Sequence, residues 1–254
     1  MEFQGYALRT ADEHLDQIRR AADDASARVW PEFLRHCAVA NSHWGKLWTR
    51  FPEYQYALVD DSTGHVVAIG HSLPLAWRGR REDLPAEGWE WAMTDGMQLS
   101  GGARNTMSAL AIIVLPEHQG KGVGSLMIRA MRSIGRRHGL DRLVVPLRPT
   151  LKSHYPLTPM DRYVRWRNED GLPLDPWLRL HVRAGGSVLG VCPDAYRVEG
   201  TVAQWEEWTG MRLPESGEYI VPGALAPIEV DADADRVRYV EANVWVAHEV
   251  RSAR

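Results

Sequence analysis

The chain has 254 residues, 44% hydrophobic and 25% charged, the balance of a globular protein with a sizeable core. Its net charge of −3 lacks the basic excess that nucleic acid or an anionic membrane surface attracts. Two cysteines, Cys37 and Cys192, make neither a disulfide framework nor a zinc site, and no run approaches the ~18 apolar residues of a membrane span. The opening Met-Glu-Phe-Gln-Gly has no basic start followed by an apolar run, so the expectation is a cytoplasmic protein with no nucleic-acid or membrane partner. The 11 tryptophans against 3 phenylalanines are read mainly as core and rim packing, with several available to line a cleft.

Residues 3–10 read as a strand. Residues 11–29 read as a helix, with acidic residues in the first turn, Leu15, Ile18 and Ala22 at helical spacing, and Pro31 beyond its end. Helical segments follow over 32–40, which Pro31 can open, and over 41–50, which carries Trp44 and Trp48. Residues 54–59 and 66–74 are strand-like runs joined by the turn Asp60-Asp61-Ser62-Thr63-Gly64. Residues 78–104 are rich in charge, Gly and Trp without clear periodicity. They read as a long excursion, part of an acceptor wall, holding Glu90 and Asp95 as weak candidates for a base.

The stretch 106–115 is the most apolar in the chain and reads as a central strand ended by Pro116. Residues 123–138 read as a helix with Leu126, Met127, Ala130, Met131 and Ile134 on one face and Gly139 at its end. Residues 142–147 are the next strand. Beyond Pro149 the chain is irregular through Pro156, Pro159, Pro173 and Pro176; a helix resumes over 177–183 and stops at Gly185-Gly186. Residues 188–192 and 195–198 read as strands, and the tail alternates apolar pieces at 219–221, 226–230 and 244–246 with turns. The simplest organisation is one α/β domain over 1–254, with 199–254 as a C-terminal extension packed on it.

The chemistry concentrates in Gln119-Gly120-Lys121-Gly122-Val123-Gly124, between the apolar strand and the following helix. Glycine lets backbone N–H groups turn toward an anion with no Cβ in the way, and the helix adds its positive end. Together they form a pyrophosphate cradle. A P-loop is excluded because Lys121 is followed by Gly122 where Ser or Thr is needed. A dinucleotide fingerprint fits poorly: its last position falls on Ser125, and the acidic partner, Asp141, lies at the start of the next strand.

The remaining Gln-x-x-Gly-x-Gly pattern, in the context Leu-Pro-Glu-His-Gln-Gly-Lys-Gly-Val-Gly, resembles the GNAT superfamily of acyl-CoA-dependent acyltransferases. Gln119, Gly122 and Gly124 match its Arg/Gln-x-x-Gly-x-Gly/Ala signature. The resemblance implies a GNAT-like α/β fold, a mixed and mainly antiparallel central sheet flanked by helices, with CoA entering a V between splayed strands. It implies that Gln119, Gly120, Lys121, Gly122, Val123, Gly124 and Ser125 hold the CoA pyrophosphate through their backbone. It also implies that Ile112, Ile113 and Val114 run beside the pantetheine arm on a bulged strand. His181 takes the place of a tyrosine that in many members protonates the departing CoA thiolate, a role open to an imidazole as well.

The second half departs from ordinary amine acetyltransferases. Arg148-Pro149-Thr150-Leu151-Lys152, Tyr155-Pro156-Leu157, Met160-Asp161-Arg162-Tyr163, Asp175-Pro176-Trp177-Leu178-Arg179 and Asn243-Val244-Trp245 resemble the GNAT-like domains of polyketide synthase loading modules, which decarboxylate malonyl-CoA. That resemblance implies a threonine and a histidine near the acyl group, aided by a tryptophan and an arginine. Thr150 and His181 fit the first two, and Trp44 and Arg197 the others by approximate spacing. A hydroxyl and an imidazolium suit an enolate, which needs an oxyanion partner and then a proton. Arg148 and Lys152 are candidates for a malonyl carboxylate or CoA phosphates, beside the reading of solvated surface cations. No His-Glu-x-x-His or Cys-x-x-Cys spacing exists, so no metal is expected. The expected function is acetyl or acyl transfer from CoA to a small-molecule or carrier-protein acceptor. Malonyl-CoA decarboxylation and non-catalytic acyl-CoA binding are the alternatives.

Overall fold

The computed structural model describes residue 3 and residues 5–98 and 103–250. Residue 4 of the expected first strand, 99–102 of the excursion and 251–254 of the expected extension lie outside them. The chain opens with β1 (Tyr6–Thr10), α1 (Ala11–Val29), the short helices α2 (Ala38–His43) and α3 (Leu47–Arg50), and the hairpin β2 (Gln55–Asp60) and β3 (Val66–Leu75). Helix α4 (Gly88–Met97) then precedes β4 (Thr106–Val114), α5 (Val123–Arg137) and β5 (Arg142–Leu147). The second half holds α6 (Met160–Tyr163), α7 (Pro176–Arg183), β6 (Ser187–Gly200), α8 (Val202–Thr209), β7 (Gly217–Tyr219), β8 (Ile228–Asp231) and β9 (Arg236–Glu249).

Among the described residues, nine strands form one sheet in the order β1-β2-β3-β4-β5-β9-β8-β7, with β6 also paired to β9. The pair β4–β5 is parallel and the others antiparallel. The expected mixed, mainly antiparallel sheet flanked by helices is therefore the observed one. Alternation along β2 sorts the layers: Ala57 enters the α1 side with Ile69, Ile113, Ile18 and Ala22. Tyr56 points the other way and donates its hydroxyl to Met127 O of α5.

Strands β4 and β5 pair only at Thr106–Arg142, Met107–Leu143 and Ser108–Val144. Beyond Ser108 they part, because each follows its other neighbour. β4 stays in register with β3 as far as Val114, and β5 stays with β9 through Leu147–Val244. A bulge leaves Leu110 without a partner on β3, which adds local twist where the strands diverge. The result is a V between two halves of one sheet.

Three elements differ from the sequence reading. The 78–104 excursion contains α4, whose buried residues Gly88, Trp89, Ala92, Met93, Gly96 and Met97 lie along one face; two of them are glycines and the apolar Trp91 lies on the other side, so the face does not stand out as an apolar stripe in the sequence. Gly96 is required there, because a Cβ would collide with the Leu73 side chain. The tail contains α8, opened by a Thr201–Gln204 capping box. The segments 188–192 and 195–198 are one strand, β6, whose pairing to β9 is interrupted between Cys192 and Tyr196. Within the stretch read as a C-terminal extension, Arg236–Glu249 forms β9, which pairs with β5. The insert between β6 and β9 closes a second apolar cluster, with Trp205, Ile228 and Tyr239 packed on Phe33, Leu34 and Cys37.

Candidate functional site

Two groups of residues beside the V carry different chemistry. At the end of β4, Pro116–His118 makes one tight turn, and Gln119 reaches back to donate Nε2–H to Val114 O at 3.1 Å. Gly120 and Gly122 adopt left-handed φ of 73° and 80°, and nothing lies within 4 Å of where a Cβ would sit. Gly122 caps α5, whose first N–H groups have no carbonyl partner within the helix. These groups and the positive helix end can hold a phosphate. Gln119, Gly120, Lys121, Gly122 and Ser125 are exposed, whereas Val123 is buried as the first core residue of α5. Gly124 serves packing instead, since a Cβ on it would lie 3.3 Å from Trp177 and 3.4 Å from Leu180, and its absence admits α7 against α5. Ile113 is committed to the α1 side of the core, while Ile112 and Val114 are half-buried on the opposite face.

A wall is built from α4, β6 and the residues flanking α2, and it packs on β3 and β4. Trp89 donates Nε1–H to the carbonyl of the bulged Leu110 at 2.8 Å, tying α4 to the point where β4 bends. Its ring lies 5.0 Å from Tyr196, edge on, and 6.3 Å from Trp44, stacked; Trp44 in turn lies 4.8 Å from His71. The next residue, Glu90, accepts Arg197 N–H at 2.7 Å and the Cys37 thiol at 3.7 Å, both on Oε1. Burial pushes the Glu90 carboxyl above the usual carboxylate range, opposed by Arg197. Arg197 itself makes a 3.9 Å ion pair with Asp194. Trp44, Glu90 and the backbone of Arg197 thus meet at one wall. Asp95 lies farther along α4, where burial raises its pKa against the charge of Arg104.

Thr150 and His181 are placed apart. Thr150 is exposed just beyond the end of β5. His181 is buried on the inner side of α7, with Nδ1 2.9 Å from Nε2 of His248 and its ring edge-on to Trp177 at 4.7 Å. His248 sits opposite Leu143, near the start of β5, and the four steps from there to Leu147 span about 13 Å. Burial and the neighbouring His248 depress His181 to about 3, and burial with Arg132 depresses His248 to about 4. The pair is neutral at pH 7, so His181 offers no imidazolium. Gly186 makes the packing possible, since a Cβ there would lie 2.6 Å from the His248 ring.

Arg148 and Lys152, read as solvated cations or anion ligands, are instead anchors on either side of Thr150. Arg148 Nε donates to both Glu241 oxygens at 3.0 and 2.9 Å, and its Nη2 to Gly223 O at 2.7 Å. Glu241, 2% exposed, also accepts the Tyr239 hydroxyl at 2.8 Å and Asn243 Nδ2 at 2.9 Å. Lys152 Nζ donates to Tyr155 O at 2.8 Å and to Leu225 O. Burial lowers the Lys152 pKa to about 8, with Glu241 opposing. Sequence reasoning missed Trp89, Tyr196, Glu241 and His248. Their partners are distant in the chain, and a lone Trp, Tyr or His carries no local signal.

A phosphate cradle feeding a helix beside two splayed parallel strands is the arrangement of an acyl-CoA-dependent acyltransferase. The Acetyltransferase (GNAT) family pattern matches residues 24–154. Arginine N-acetyltransferase avaD of Aspergillus versicolor is 32% identical over 276 residues, spanning 97% of this chain and 94% of that protein. The loading GNATL domain of CurA from Lyngbya majuscula shares the fold with a TM-score of 0.62 at 20% identity, covering 96% of this chain and 98% of that one. The GphF GNAT-like decarboxylase in complex with isobutyryl-CoA aligns with a TM-score of 0.54 at 18% identity, covering 96% and 100%. The chain belongs to the GNAT acetyltransferase family. It is an acyl-CoA N-acetyltransferase-like enzyme, with a CoA thioester as its acyl donor. Among the described residues, no helix is long and apolar enough to cross a membrane.

Proposed function

We propose that this enzyme transfers an acetyl group from CoA to the amine of a small molecule of the arginine type. The observation that carries this reading is the pairing of a cradle with a carboxylate-bearing wall beside one V. An open glycine cradle follows β4, and a half-buried carboxylate, Glu90, lies among aromatic rings on the helix α4, which spans from β4 to β6. CoA enters over residues 119–125 with its pantetheine along Ile112 and Val114, and the amine approaches from the Trp44–Trp89–Glu90 wall. The neutral amine attacks the thioester carbon, the C–S bond breaks, and CoA leaves as the thiolate; the nitrogen gives its proton to solvent and the thiolate takes one up to leave as CoA–SH. Holding both reactants in one passage supplies most of the acceleration. Thr150, the exposed hydroxyl at the mouth of the V, is the candidate donor to the acyl or thiolate end. The 32% identity to an arginine N-acetyltransferase supports the acceptor class.

The decarboxylase alternative asks His181 for a proton beside Thr150 and a cation for the malonyl carboxylate. His181 is committed to His248, and Arg148 and Lys152 are committed to Glu241, Gly223, Tyr155 and Leu225, so the geometry favours transfer. The test is mass spectrometry of pure protein with acetyl-CoA or malonyl-CoA, each with and without arginine. CoA release from acetyl-CoA that requires arginine and yields N-acetylarginine is expected. Acetyl-CoA formed from malonyl-CoA without an acceptor, and no acetylated amine, would overturn the proposal in favour of the lyase.

A further inference from the structure

We infer that Glu90 and Arg197 together select a dipolar acceptor, a free amino acid with a cationic side chain, over amines that lack either charge. This inference rests on the acyl-transfer reading and concerns the same wall. Both of the Glu90 hydrogen bonds described above fall on Oε1, although a carboxylate offers about four acceptor positions on two oxygens. The residue is only half-buried, so its other oxygen is left to serve a ligand. Around it stand Trp44, Trp89 and Tyr196, each ring within 6.3 Å of the next along the wall. Ring faces attract a cation, and a guanidinium, planar and weakly hydrated, both stacks on them and pairs with a carboxylate through two N–H groups.

Arg197 supplies the opposite charge, near enough to Glu90 to favour its ionised form. A guanidinium has five donors, yet among the described residues this one makes a single loose ion pair at 3.9 Å, and its buried Nε has no hydrogen-bond partner there. An unpartnered buried donor is costly and is relieved by an acceptor. Asp194 is too distant for a good hydrogen bond, and a ligand carboxylate suits these donors. The two charges are also held in fixed relation, because the backbone N–H of Arg197 is the group that pins Glu90. One small molecule carrying both signs can therefore bridge them, and a molecule with only one leaves the other charge facing it unpaired.

Initial rates of CoA release at fixed acetyl-CoA test this with three acceptors: arginine, citrulline, in which a neutral urea replaces the guanidinium, and agmatine, which lacks the carboxylate. Wild-type kcat/KM for arginine is expected to exceed that for each analogue by at least about tenfold. Glu90→Gln retains an oxygen for the Arg197 N–H and is expected to collapse the arginine/citrulline ratio while leaving arginine/agmatine intact. Arg197→Gln is expected to do the reverse. The KM for acetyl-CoA, unchanged in both, separates selection from damage to the fold. If no amine supports CoA release, the acyl-transfer reading itself fails. If arginine is acetylated but wild type uses agmatine or citrulline equally well, or both ratios survive the substitutions, the inference is overturned and the transfer reading stands. If one variant does not fold, the other still tests its own ratio, and wild-type ratios near one overturn the inference without either.

Discussion

Gly122 and Gly124 are two residues apart and serve unlike ends. Gly122 holds a left-handed φ of 80° in open space, whereas Gly124 is helical and gives up its side chain to Trp177 and Leu180. A Gly122→Ala substitution forces an L residue into that region at a cost of about 1–2 kcal/mol and puts a methyl group in the cradle. A lower melting temperature and a raised KM for acetyl-CoA are expected, with acceptor KM unchanged. Glu241 poses a different question at the same scale. Four donor contacts converge on its two oxygens, two of them from Arg148 Nε. Glu241→Gln leaves Arg148 without a counter-charge in a mostly buried place, at a cost of about 3 kcal/mol. Urea unfolding should show that loss. A drop in kcat that exceeds any change in acetyl-CoA KM would show that the anchored segment 148–152 also positions Thr150.

Helix α4 matters most among the elements, because it turns a splayed sheet into a lined passage. It lies against β3, β4, β6 and α2, and its single direct bond to the bulge is Trp89 Nε1 to Leu110 O. Trp89→Phe keeps an aromatic ring and deletes that N–H, leaving a buried carbonyl unsatisfied at a cost of about 1–3 kcal/mol. The expected outcome is a lower melting temperature together with a raised acceptor KM. An unchanged acceptor KM would mean that α4 does not shape the acceptor side. The sequence showed the tryptophans of this stretch but not the helix, because glycines occupy 88 and 96 on its buried face and blur the apolar period. In the folded chain both admit close neighbours, Cys192 and Ala195 at Gly88 and Leu73 at Gly96. The capping box of α8, by contrast, was written locally in Thr201 and Gln204.

Across the whole molecule, three buried histidines tie stability to pH. Burial depresses His71 to about 3; burial and His248 hold His181 at about 3; burial and Arg132 hold His248 at about 4. In the unfolded chain each titrates near 6.5. Below about pH 6.5 the unfolded chain binds protons that the folded chain refuses. Stability is therefore full above that pH and falls as pH drops toward 4, by up to about 1.4 kcal/mol per pH unit for each histidine. Urea midpoints measured from pH 7 to pH 5 should decline along that course, and a flat profile would contradict neutral burial of the three rings.

The cradle is legible in the amino-acid sequence alone. Its strand, glycines and helix are contiguous, and a glycine's freedom to take positive φ depends on its own backbone. The same locality makes the alternating strands and the α5 core face readable. The acceptor wall is not readable as a unit, since Cys37, Trp44, Trp89, Glu90, Tyr196 and Arg197 meet only after β6 has joined β9 and α4 has crossed the sheet. His181 shows the limit most plainly: its place in the chain suggests a proton donor, and its charge is settled by His248, 67 residues away. Torsional preference belongs to the residue, whereas desolvation and pairing belong to whatever the fold brings beside it.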